Sequence, residues 1–126
     1  MITVIKSPFV QYKLTILRNK KTSNTVFRQT MNEISYLIAS DVLQYVPFKK
    51  QTIETPLKKM SGTALGQPII LVPILRAGLG LLEGFAKFLP EAEKGHIGLY
   101  RDEQTYEPVE YLFKLPRVKN KKVLIL

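Results

Sequence analysis

The chain has 126 residues, 45% hydrophobic and 23% charged, which suits one soluble globular domain with a real core but not two. It has no cysteine and one histidine, which excludes disulfides, thiolate metal sites and histidine-rich metal centres. A net charge of +9 favours an anionic partner, a phosphorylated small molecule or nucleic acid, although solvated surface lysines account for the same charge.

The basic excess lies mainly in the first 50 residues, where eight Lys/Arg face only Glu33 and Asp41. No nucleic-acid fold signature accompanies it, so a nucleic-acid partner is not expected, and an RNA-binding reading rests on charge alone. No apolar run approaches the ~20 residues of a membrane helix, and MITVIKSPFV lacks a signal-peptide core. A cytoplasmic protein without a membrane partner is expected.

In chain order, Ile2–Ile5 reads as extended. Ser7-Pro8 is a helix start, with Ser as N-cap and Pro at the first helical position. One or two turns follow through Leu17. Thr22-Ser23-Asn24 is a second cap cluster. Phe27, Met31, Ile34, Ile38, Val42 and Tyr45 then recur at spacings of three and four, which predicts an amphipathic helix over 24–45 packed in the core. Residues 48–66 alternate polar and apolar around Pro56 and predict two polar, solvent-facing strands. Ser61–Gly66 lacks both a preceding buried strand and the Lys-Ser/Thr ending of a P-loop, so it reads as part of a hairpin or as a connecting turn.

The stretch that organises the rest is Pro68–Gly84, PIILVPILRAGLGLLEG. Its apolar run, Ile69 to Leu75, predicts a strand buried on both faces. Arg76 to Gly80 is a glycine turn into a helix that ends before Pro90. Such a corner exposes unpaired N–H groups and suits a phosphate or pyrophosphate, with Arg76 at its lip. Lys94–Tyr100 predicts a second strand of the same sheet. Residues 101–107 form a charged turn. Val109, Tyr111 and Phe113 then alternate with Glu110, Leu112 and Lys114, which predicts the return strand of a long hairpin arm. After a basic loop, Val123–Leu126 predicts another buried strand. Ligands in open α/β sheets bind in the loops after such strands, and the loop expected after this one lies outside the 126 residues.

Gly78-Leu79-Gly80-Leu81-Leu82-Glu83-Gly84 does not make a dinucleotide fingerprint, since Glu83 stands in the third glycine's place. His96 reads as a packed side chain rather than a base. Asp102, Glu103 and Glu107 read as solvated charges at a hairpin tip. Arg76 and Arg101 each fall at the end of a strand in one sheet. Together they form either a bidentate grip on a diphosphate or, for Arg101, a salt bridge to a nearby acid.

Several strings resemble the uracil phosphoribosyltransferase family: PFVQYKLTILRNKKTS (8–23), Phe27-Arg28, Glu54-Thr55-Pro56, PILRAGLG (73–80), GHIGLYRD (95–102) and PVEYLFKLP (108–116). The resemblance implies phosphoribosyl transfer from phosphoribosyl diphosphate to uracil, giving UMP for pyrimidine salvage, with Mg²⁺ bound alongside the diphosphate and a dimer or larger oligomer. It gives Arg76 and Arg101 to the diphosphate, the second from a flexible hairpin hood. It makes Ala77 and Gly78 backbone donors, in a loop expected to hold a cis peptide.

It also implies an α/β fold of type I phosphoribosyltransferase kind, a Rossmann-like parallel sheet with N-terminal helices and a β-hairpin arm. Here that fold is partial: an N-terminal helical segment (1–47), polar strands (48–66), and a partial core sheet (67–126) with its arm at 95–115. The family's acidic-Ala-Thr-Gly-Gly loop and uracil-binding segment have no counterpart in these residues. No catalytic, uracil-binding or metal-ligating residue is therefore assigned, and the chain alone is expected to be inactive. The alternative expectation is a non-enzymatic module that binds a diphosphate or nucleotide, or pairs with a second copy or a complementing C-terminal half. An open edge at Val123–Leu126 is expected to make the isolated chain poorly stable.

Overall fold

The computed structural model describes residues 2–126; Met1, the first residue of the expected N-terminal segment, lies outside the described residues. Helix α1 is Pro8–Arg18 and helix α2 is Asn24–Leu43. Both start at the serines read from the sequence. The Ser7 hydroxyl accepts from Val10 N at 3.5 Å and the Ser23 hydroxyl from Val26 N at 3.4 Å, each covering a helix-end N–H that has no partner inside the helix. The two helices are tied by an ion pair, Lys13 to Glu33 at 2.6 Å.

The apolar stripe that the spacing predicts on α2 holds at Ile34, which is buried, and at Ile38 and Val42, which pack against the core, but fails at both ends, and small or polar residues join it in the middle. Thr30, Ile34, Ser35 and Ala39 are buried, whereas Phe27 is 44% and Tyr45 65% exposed. The cause is the close approach of α3 (Leu79–Phe88) through its glycines. A Cβ on Gly84 would run into the Ser35 hydroxyl and lie 2.6 Å from Tyr36 N. Backbones this close leave room only for small side chains between them, and the bulky residues are displaced to the flanks.

Strands β1 (Phe48–Glu54) and β2 (Lys59–Leu65) form a separate antiparallel hairpin, with Phe48 opposite Leu65 and Glu54 opposite Lys59. Every β1 residue is exposed, as the polar alternation predicts. The main sheet is built from β3 (Ile69–Val72), β4 (Ile74–Leu75), β5 (Glu93–Lys94), β6 (His96–Arg101), β7 (Pro108–Lys114) and β8 (Lys122–Ile125). β3 and β4 are one strand interrupted at Pro73, which has no N–H to give the ladder. The register with β5 and β6 runs straight through the break: Leu71 opposite Lys94, then Ile74 opposite Ile97. The Pro73 carbonyl still accepts from Ile97 N at 3.3 Å.

The resulting order is β8, then β3/β4, then β5/β6, then β7, parallel except for β7. Ile70, Leu71 and Val72 are fully buried. Leu71, Ile69, Phe85, Leu89, Ala39 and Val46 make the core between sheet and helices. Each of the larger side chains among them contributes about 1.5–3 kcal/mol by leaving water.

Two strand expectations need correction. The alternation on β7 breaks at a register shift between Gly98 and Leu99, where Tyr111 is the extra residue. A bulge of this kind reverses which positions face inward. Val109 and Leu112 are therefore half-buried, while Tyr111 and Phe113 are 54% and 60% exposed. β8 is not a fully buried strand either: it pairs only with β3, and Ile125 is 64% exposed.

Candidate functional site

The carboxyl ends of β4, β6 and β8 meet at one edge of the sheet. From β3/β4 the chain crosses through α3 to β5/β6 on one side, while β8 lies on the other side. That reversal of direction makes a crevice above the strand ends, where open α/β sheets bind ligands. Arg76, Ala77 and Gly78 fill the turn directly after β4, and the peptide bond between Leu75 and Arg76 is cis.

The turn is held from both sides. Gly78 N donates to Ile74 O at 2.8 Å, and Ile74 N donates to Leu126 O at 2.8 Å. Gly78 is buried, and a Cβ there would run into Leu126 O and lie 2.7 Å from Ile74 N, so only glycine fits without moving β8. The Gly78 N–H is thus already engaged within the chain. The N–H groups of Arg76 and Ala77 donate to no protein acceptor among the described residues, and both residues are exposed. The pair of unengaged amides at this turn is therefore Arg76 and Ala77, one position earlier than the Ala77 and Gly78 pair expected from the resemblance.

A cleft of about 520 Å³ opens over this turn, lined by Arg76, Ala77, Gly78, Met31, Leu99 and Leu126 among others. Arg101 ends β6 next door. Leu75 is level with Gly98, so Arg76 is level with Leu99 and Arg101 stands two residues higher, roughly 7 Å at ~3.3 Å per residue. The pleat puts Arg101 on the same face of β6 as Leu99, which is a wall of the cleft. Neither arginine has an acid within ion-pair distance among the described residues, so the salt bridge weighed for Arg101 is not formed.

The hairpin tip beyond Arg101 is ordered by Asp102 rather than merely solvated. Its Oδ1 accepts from Gln104 N at 2.9 Å, Thr105 N at 2.8 Å and Thr105 Oγ1 at 3.1 Å. The Thr105 backbone bond first, then those from Gln104 and the Thr105 hydroxyl, hold the Asp102 carboxyl below its usual range. At the base of the arm the Tyr111 ring lies over Gly98 and tilts against Tyr100, with ring centroids 6.2 Å apart.

Chemically, two guanidiniums and two unengaged amides are donors only, a set that suits an oxyanion with several acceptors. His96 is half-buried on β6 opposite Lys114 and faces no carboxylate within ion-pair distance among the described residues. The described residues hold no group of three or more His, Cys, Asp or Glu that could ligate a metal. The walls from Met31, Leu99 and Leu126 carry no sequence signal, since they are ordinary apolar residues brought together only by sheet order.

Residues 4–126 match the family model described as uracil phosphoribosyltransferase. Among curated proteins, the chain is 48% identical over 114 residues to the uracil phosphoribosyltransferase of Levilactobacillus brevis, covering 90% of this chain and 54% of that one. It is 45% identical over 127 residues to that of Finegoldia magna, covering 99% and 61%. Among solved structures it is similar to the AQ2163 protein from Aquifex aeolicus, with a TM-score of 0.89 at 32% identity, over 100% of this chain and 61% of that one. The chain therefore spans little more than half the length of the curated relatives it matches. No helix of the described residues is long and apolar enough to cross a membrane.

Proposed function

The chain belongs to the uracil phosphoribosyltransferase family, and from that membership we propose that it carries the diphosphate-gripping part of an enzyme that converts uracil and phosphoribosyl diphosphate to UMP and diphosphate. The observation that carries this reading is the placement of Arg76 and Arg101 at the carboxyl ends of adjacent parallel strands, Arg76 lining the cleft and Arg101 two residues beyond its Leu99 wall, without internal ion pairs among the described residues.

In this reaction the bond from ribose C1 to the diphosphate oxygen breaks, a bond from C1 to uracil N1 forms and the N1 proton is released to solvent, so the leaving diphosphate gains negative charge. Donors fixed where that charge develops lower the barrier because they need no reorganisation during the step. Arg76 and the Arg76 and Ala77 amides hold the leaving group from below. Arg101, on the arm, comes down from above and excludes water. Mg²⁺ carried in by the diphosphate would supply further neutralisation of the phosphate charge, and no residue of this chain is assigned to hold it.

The chain covers 54% of the length of the Levilactobacillus brevis relative, and the expected outcome is that these 126 residues alone make no UMP from radiolabelled uracil and phosphoribosyl diphosphate; UMP formation by the purified chain would overturn that. A second reading, a pairing module without turnover, is supported by the exposed aromatic pair on the arm, Tyr100 and Tyr111. The same preparation separates the two. A pairing module sediments as more than a monomer, whereas a chain that stays monomeric speaks against it.

A further inference from the structure

The cleft over the Arg76 turn is not closed on the α2 side. A second depression, of about 540 Å³, adjoins it and shares Met31 and Ala77 as walls. From α2 it is lined by Phe27, Arg28 and Asn32, and from α3 by Gly80 and Glu83. Arg28 is the only cation among its lining residues and is exposed.

A guanidinium and a carboxylate lining the same depression would ordinarily pair. Here they do not: Glu83 accepts from Asn32 Nδ2 at 2.7 Å, and Arg28 has no acid within ion-pair distance among the described residues. Asn32 thus ties the acid to α2 and leaves the arginine uncompensated beside an anion-suited turn. The exposure of Phe27 follows the same pattern, since the start of α2 lines this depression rather than the core.

We infer that Arg28 is a third cation of the diphosphate site, reaching the anion from the α2 side across Ala77. This rests on the reading of Arg76 and Arg101 given above and extends it to a residue on a different element. Three guanidiniums from three elements, the turn after β4, the arm and α2, would surround a diphosphate from three directions. Planar forks of this kind are suited to phosphate oxygens.

The test is calorimetric titration of the 126-residue chain with inorganic pyrophosphate in magnesium buffer. Gln is a good helix former, and position 28 is exposed, so Arg28→Gln is expected to keep the far-UV circular dichroism of the unaltered chain. It should weaken pyrophosphate binding by roughly tenfold, the effect of one lost charge-assisted hydrogen bond. Arg28→Lys, which keeps charge but not the fork, should fall between. Arg18→Gln, which removes the same charge from the end of α1, should bind as the unaltered chain does. Equal loss in Arg18→Gln would reduce the effect to net charge and overturn the inference. Binding unchanged in Arg28→Gln but weakened in Arg76→Gln would overturn it while leaving the Arg76 site standing. No binding by the unaltered chain would remove both.

Discussion

Asp102 illustrates how one side chain sets the geometry around a candidate ligand residue. It follows Arg101 directly, and its carboxylate collects three donors that close the hairpin tip. Those bonds favour the charged form, so the folded-state pKa lies below the ordinary 3.8. A depressed carboxylate stabilises the fold above the unfolded value and ceases to as pH falls through the folded one. The protection of the Gln104 and Thr105 amides against hydrogen exchange should therefore persist from neutral pH to about 4 and disappear only below that. Asp102→Ala should abolish it at every pH, whereas Asp102→Asn, which keeps an acceptor oxygen, should retain part. Unchanged protection in Asp102→Ala would show that the tip is ordered by something else.

At the scale of the element, what could be read from residues was whatever is local. Ser7-Pro8 and Ser23-Asn24 mark both helix starts because capping involves only neighbours in sequence. The main strands are legible for the same reason, as short apolar or alternating runs between turns. What was not legible depends on pairing. The bulge that turns Tyr111 and Phe113 outward exists only once β6 and β7 are in register. The half-exposed state of β8 follows from its place at the edge of the sheet. The buried stripe of α2 is set by a neighbour about fifty residues away.

That last contact supports a prediction. Gly84→Ala would ordinarily favour a helix by about 1 kcal/mol. Here the new methyl meets the backbone of α2 at Tyr36 N, and forcing the helices apart costs about 1–3 kcal/mol. The clash should win because the obstructing atoms are backbone and cannot rotate away. The variant should melt several degrees lower, and a raised melting temperature would show that the α2–α3 contact is loose.

The whole molecule exposes 9737 Å², against about 6,800 Å² for a compact monomer of this mass. The excess is several times the ~800 Å² that one partner contributes to a standard protein–protein interface. It resides in the free-standing β1–β2 hairpin, the arm and the β8 edge, where Leu57 is 94%, Phe113 60% and Ile125 64% exposed. These surfaces surround the core without belonging to it, while the candidate site sits on the packed part of the sheet. Arg76 and Arg101 were legible as strand-end residues. The cleft that Arg76 lines was not, because its walls include Met31 of α2 and Leu126 after β8 as well.

The decisive measurement is titration of the 126-residue chain with phosphoribosyl diphosphate, comparing the unaltered chain with Arg76→Gln and Arg101→Gln. Saturable binding that each substitution weakens by about tenfold is expected if the two guanidiniums grip the diphosphate. Binding that neither substitution changes, or no binding by the unaltered chain, would contradict it.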